Sequence, residues 1–188
     1  GVMAVQARQT VAETAWLLQL AAEHPFILGV VGWVPLISRT VQKDLEQFVV
    51  NPKLKSVRHV LQGETDDRYM LRDDFNRGIN LLESLNLTYD ILIFERHLPQ
   101  AIEFVDRHPN QIFIVDHIAK PRIKDGLMSP WRENIKELAK REHVYGPEFR
   151  GWKIGENAAS LFGRDDGSTF RAESGHRIEF DLRPGEKI

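Results

Sequence analysis

The sequence predicts an α/β fold: an incomplete (β/α)8 TIM-type barrel over residues 1–146, followed by a divergent β-rich tail over 147–188. Three observations predict it. Short β-branched apolar runs alternate with helical patterns, and the runs start roughly 20 to 35 residues apart, the size of one strand–helix–strand unit. The runs are apolar along most of their length, as strands of a parallel sheet covered on both faces are. The chain has 188 residues, fewer than the roughly 250 of a complete barrel, which is why the barrel is expected to be incomplete.

The expected strands are Val2–Gln6, Ile27–Val34, Val57–Leu61, Ile91–Phe94 and Ile112–Asp116, with a weaker one at His143–Tyr145. Between the first two, Thr10 and Glu13 form a capping box ahead of a helix over Val11–Glu23, which Pro25 ends. A second helix, Val41–Val49, stops at the Asn51-Pro52 turn. The third, Asp73–Leu85, carries a stripe of Phe75, Ile79, Leu82 and Leu85 at helical spacing. Two more, Pro99–Arg107 and Pro130–Arg141, each open on a proline, which suits a first helical turn. Such repeats leave a closed barrel or an open doubly wound sheet. The chain contains neither GxGxxG nor GxxxxGK[ST], so the barrel is the stronger expectation. After Tyr145 the rhythm stops. Glycines at 146, 151, 155, 163, 167, 175 and 185, the alternation Ile178–Leu182 and the Pro184-Gly185 turn read as turn-rich β structure.

Twenty-five basic and 27 acidic residues are evenly mixed and give a net charge of −2, so neither nucleic acid nor an anionic membrane is an expected partner. There is no cysteine, which excludes disulfides, thiolate metal ligands and a thiol nucleophile. The most apolar stretch, Phe26–Ile37, is too short to span a bilayer and is broken by Gly29, Gly32 and Pro35. Gly1 leads straight into an apolar segment with no leader pattern, which reads as a cut end, and the cytoplasm is the expected location.

Active sites of parallel α/β folds lie at the carboxyl ends of the strands. Asp116-His117 closes the strand QIFIVDH, either as a structurally satisfied pair or as a metal or substrate contact through His117. Strand alternation would turn Asp116 away from His117 and from the cleft. Arg58-His59 lies in SVRHVLQGE, and alternation points one of the two toward the mouth; a buried ion pair of Arg58 with a carboxylate is the other reading. Arg96 and His97 follow DILIF, where they could bind a carboxylated or hydroxylated substrate or form a solvated loop. Gln6 ends the first strand, and Lys120 follows His117 within reach of a substrate anion. His24, His108 and His143 read as surface or capping residues, and Trp33 and Trp131 as core or rim packing. No GxSxG elbow and no HExxH helix occurs.

Taken in order, VQARQTVAETAWLLQLA, GVVGWVPL, VRHVLQGE, LNLTYDILIFERHLPQA and FIVDHIAKP resemble the amidohydrolase-related family (amidohydrolase 2). The resemblance covers residues 1–145, and the branch it points to contains the sugar-lactone and pyrone-lactone hydrolases, L-fuconolactonase among them. It implies a distorted barrel that hydrolyses a lactone or related cyclic ester at its strand ends. His117, Lys120 and Pro121 fall on the family's DH..KP motif, His59 on its RH position and Gln6 on its VQA position. The resemblance makes His117 and His59 the catalytic candidates, with His117 also the candidate metal ligand. Gln6, Arg58, Arg96, His97 and Lys120 are candidates for binding a lactone or sugar acid. Some members bind a divalent metal such as zinc and others do not.

Two family features are missing. No His-x-His pair and no SDWP-like Asp occurs in the chain, and GPEFRGWK stands where the family has a KxSG-like strand. With His117 as a lone ligand, no cofactor is expected for this chain by itself, and the expectation is a chain that is incomplete and inactive. The alternative expectation is a non-catalytic barrel remnant or small-molecule-binding protein.

Overall fold

The computed structural model describes residues 1–146, and the expected tail over 147–188 lies outside the described residues. Six strands form one parallel sheet: β1 (Val2–Val5), β2 (Ile27–Gly32), β3 (Leu54–Val60), β4 (Thr88–Leu92), β5 (Phe113–Val115) and β6 (Val144–Tyr145). Their order in space is their order in sequence. That settles the choice of architecture. Consecutive right-handed crossovers keep every helix on one face, as in a barrel wall, whereas a doubly wound sheet reverses its order midway.

The helices are α1 (Val11–Glu23), α2 (Val41–Val49), α3 (Asp73–Ser84), α4 (Leu98–Asp106) and α5 (Trp131–Leu138). The Thr10 hydroxyl accepts from the Glu13 amide, as expected of a cap. The Glu13 carboxylate, however, reaches past Thr10 to the amides of Ala7 and Arg8, so it braces the turn leaving β1. Buried Thr14 then ties α1 to β2: its hydroxyl donates to the Trp33 carbonyl at 2.7 Å and accepts from the Trp33 amide at 2.8 Å.

Sequence reading starts β4 three residues late and ends it two late. Thr88 and Asp90 are polar because they face away from the helices, and an apolar-run criterion starts the strand after them. The opposite face carries the core. Tyr89 and Phe113 meet Phe75 of α3 and Phe104 of α4 in a set of edge and tilted ring contacts with centroids 5.2–6.2 Å apart. All four rings are fully buried, and aromatic burial of this size dominates core energetics.

His108, expected at the surface, is buried beside these rings. Its Nε2 donates to the Asn76 Oδ1 at 2.7 Å, because both hydrogens of that amide already go to the carbonyls of Met70 and Arg72. Its Nδ1 lies 2.9 Å from the Asn80 Oδ1. Burial, with Arg107 adding to it, pushes the His108 pKa down to about 4 from 6.5.

The sign follows. Above pH 6.5 the ring is neutral folded or unfolded; as pH falls below that value only the unfolded chain gains a proton, so stability drops until about pH 4. The loss from this ring is about 2–3 kcal/mol. Urea midpoints followed from pH 7 to pH 4 should fall more steeply in the wild type than in His108→Gln; parallel slopes would remove His108 from the account.

Gly78 on α3 sits against the Leu36 carbonyl, and a Cβ at this position would lie 2.3 Å from that oxygen. Backbone cannot yield as a flexible side chain can. Gly78→Ala should therefore cost about 1–3 kcal/mol by overpacking, despite alanine's better helix propensity. An unchanged or raised urea midpoint would contradict this close approach.

Candidate active site

Parallel pairing brings the carboxyl ends of β3, β4 and β5 side by side, and the candidate residues meet there in three groups. The first lies on the face turned away from the helices. Arg58 donates through one terminal nitrogen to Asp116 at 2.8 Å and through the other to the Gln6 carbonyl. The Gln6 amide returns a bond to the Arg58 carbonyl at 3.2 Å. Ser56 hydrogen-bonds Asp90 on the same face, one step down the barrel. The ion pair spans from β3 to β5 across β4, so it fixes the curvature of the wall at its rim. Within this group the Gln6 Oε1 and the Arg58 Nε are buried without a protein partner.

Asp116 thus points into the cleft, contrary to the expectation. With Phe113 on the helix face, period two itself places Ile114 and Asp116 on the inner one; it is His117 that leaves the pattern, because β5 ends at Val115 and a tight turn follows. His117, Ile118, Ala119 and Lys120 all have φ between 45° and 59°. Four successive non-glycine residues in the left-handed region, one of them β-branched, cost about 1–2 kcal/mol each. Such strain survives only where surrounding structure overrides it. Here buried Ala119, a Lys120 amide bond to the His117 carbonyl at 2.8 Å and a Trp131 indole bond to the Ile118 carbonyl at 2.7 Å do so. The turn leaves the His117 ring exposed.

The second group surrounds His59. The open question of which neighbour faces inward is settled for Arg58, since His59 turns to the helix face with Val57. Its ring stacks on Tyr69 with centroids 5.2 Å apart and meets Phe75 edge-on. The Trp33 indole N–H, a donor only, approaches Nδ1 at 3.3 Å, so the ring donates from Nε2 to Glu64 at 2.7 Å. Burial lowers the His59 pKa, opposed in part by Glu64. His59 and His117 leave the same end of the sheet, but the His59 ring is packed behind it.

The third group is built on the turn after β4. His97, buried, accepts the Phe94 amide at Nδ1 and donates from Nε2 to Asp67 at 2.8 Å. The His97 contact, then Arg96, holds the Asp67 carboxyl below its usual value. Arg96 and Lys120 both lie over the Phe94 ring, at 5.0 and 5.5 Å, and Lys120 also donates to Gln62 at 3.0 Å. Glu64, a candidate base by its place just after β3, and Asp67, which the sequence does not single out, therefore pin the 61–71 segment over the ends of β3 and β4. The signal for Asp67 is weak, because only its closeness to His97 in space reveals the pairing.

The donor set does not assemble a metal centre among the described residues. The lone pairs of His59 and His97 are taken by N–H donors, and Asp116 is committed to Arg58. No cluster of three potential ligands occurs there, whereas catalytic zinc usually takes three protein ligands. His117 supplies one.

The amidohydrolase family profile matches residues 1–166. The chain belongs to the amidohydrolase family. It is 38% identical over 148 residues to an L-fucono-1,5-lactonase of Burkholderia multivorans, covering 76% of this chain and 50% of that protein. A second L-fucono-1,5-lactonase, from Burkholderia ambifaria, is 33% identical over 141 residues, 75% of this chain and 49% of the relative. The chain thus spans about half the length of the curated relatives it matches.

An amidohydrolase structure from Burkholderia multivorans with bound zinc superposes with a TM-score of 0.73 at 37% identity, over 77% of this chain and 51% of that one. A probable 2-pyrone-4,6-dicarboxylic acid hydrolase from Acinetobacter baumannii, with citric acid bound, shares the fold at a TM-score of 0.64 and 16% identity, over 85% of this chain and 61% of that one. No helix among the described residues is long and apolar enough to cross a membrane.

The Arg58–Asp116 pair offers a direct test. Asp116→Leu strands a guanidinium among buried groups and should cost about 3 kcal/mol, whereas Arg58→Met combined with Asp116→Leu should cost less than that single change. Urea midpoints of the four forms give the coupling, and strictly additive costs would show that the two do not act as a pair.

Proposed function

We propose that this chain is the substrate-holding wall of a lactone hydrolase acting on a sugar lactone or the corresponding sugar acid. The observation that carries the reading is the strained turn after β5. It spends conformational energy to present an exposed His117, beside Lys120, at the strand ends of a barrel wall related to two L-fucono-1,5-lactonases. Strain of this kind collects where a side chain must stand in one place.

In this reading His117 hydrogen-bonds the reacting ester. Arg58 and Gln6, with one unmet donor and one unmet acceptor, suit the hydroxyl-rich ring of a sugar. Arg96 and Lys120 supply positive charge for a carboxylate or a developing oxyanion. His59 and His97 serve as neutral braces that hold Glu64 and Asp67. Hydrolysis also needs a deprotonated water. Of the carboxylates near the strand ends, Glu64 and Asp116 are committed to His59 and Arg58, while Glu95 has no ion-pair partner among the described residues. A zinc ion, where a relative holds one, would supply a Lewis acid; among the described residues His117 is the one free imidazole donor at the strand ends.

That donor count favours a second part to the proposal: the 188-residue chain by itself holds substrate without turning it over. Purified chain should retain no stoichiometric zinc and should not hydrolyse L-fucono-1,5-lactone or other aldonolactones above background. It should still bind a sugar acid with an affinity that His117→Ala lowers about tenfold, the worth of one charge-assisted hydrogen bond. Metal analysis, a lactone turnover panel and calorimetry decide it. One zinc per chain, or turnover abolished in His117→Ala, would show that the chain is a complete catalyst; absence of any sugar-acid binding would remove the substrate assignment.

A further inference from the structure

We infer that Trp131 is a positioning residue for His117: its indole N–H is the latch that keeps the left-handed turn, and with it the imidazole, in place. The link to catalysis rests on the reading of His117 given above, but the latch itself does not.

The geometry is specific. Trp131 is the first residue of α5 and is buried, 4% exposed. Its Nε1 donates to the Ile118 carbonyl at 2.7 Å. Ile118 has φ of 45° and is β-branched, so it is the member of the turn that least tolerates this conformation. The indole is a donor and never an acceptor, which suits it to an orphan carbonyl and to nothing else there. Inside the turn, the Lys120 amide donates to the His117 carbonyl, which ties its two ends together, while the Ile118 carbonyl takes the indole. The chain between turn and helix doubles back through the Arg122–Leu127 bridge, which returns Trp131 beneath the residues it holds. Without the latch, residues 117–120 gain by relaxing toward ordinary backbone, and His117 loses its fixed direction.

The test needs no enzymatic turnover. In the full chain, Trp131→Phe keeps the ring and removes the donor. The Lys120 amide, read by NMR-detected hydrogen exchange, should exchange about fivefold faster, the worth of roughly one neutral hydrogen bond in local opening. Amides of β2 and β3 should be unchanged, and the His117 imidazole resonances should shift. Ile118→Gly removes the strain, so adding Trp131→Phe to it should accelerate the Lys120 amide less than in the parent. Unchanged Lys120 exchange and unchanged His117 resonances in Trp131→Phe would overturn the latch.

Should Trp131→Phe fail to fold, the wild type decides. The Trp131 indole proton must exchange far more slowly than that of Trp16, which is 55% exposed, and equal rates would refute the bond. Calorimetry with the sugar acid separates the two ideas. A wild type that binds no sugar acid sinks the substrate assignment but leaves the latch standing if exchange at Lys120 responds. Binding that persists with exchange unmoved sinks the latch alone.

Discussion

Parallel pairing of consecutive strands is the constraint on which the rest depends. Because each strand must return to the same end before pairing again, every carboxyl terminus falls on one rim, and every helix falls on one face. The alternation of side chains then divides the sheet into two chemistries. One face carries Tyr89 and Phe113 into the ring cluster under α3 and α4; the other carries Ser56, Arg58 and Asp90. Charge is tolerated on the second face because each partner is on an adjacent strand or one beyond, at hydrogen-bond range.

At the rim that alternation ends, and the functional candidates are drawn from the place where it ends. β5 is three residues long; alternation carries Asp116 inward, and the abrupt change to left-handed backbone after it sends His117 out to solvent. The 61–71 segment is held by a different device. Two imidazoles, each neutral with both nitrogens engaged, grip one carboxylate apiece from that segment. The same ring type does two jobs a few residues apart: His59 and His97 are consumed in holding backbone in place, while His117 is kept available.

Much of this was legible in the sequence. The helices over Val11–Glu23 and Val41–Val49 were readable to the residue, because a capping threonine, a proline and an Asn-Pro turn punctuate them. Strand existence and parallel order were readable from the repeat. The strand bounds of β3 and β4 were not, since Ser56, Thr88 and Asp90 are inner-face polar residues that break an apolar run. The candidate residues do gather at one rim, but their orientation was hidden. Which of Arg58 and His59 faces inward depends on register, and the direction of His117 depends on a backbone turn that no composition rule signals in the absence of glycine. His108 was hidden for a third reason: its two asparagine partners lie on another helix, 28 and 32 residues away in sequence.

Tyr89 adds something to the picture of His108. Burial of its phenol in the ring cluster raises its pKa far above 10, so the folded chain keeps it protonated where the unfolded chain does not. For an acid of this kind stability is complete below pH 10 and declines above it, the mirror image of a buried imidazole. The two rings therefore close a bracket around the fold, one at the mildly acidic side and one in alkali. Both contact Phe104 and Phe113, so a single aromatic layer, chosen for packing, also sets the range of proton activity over which the barrel wall can keep its shape.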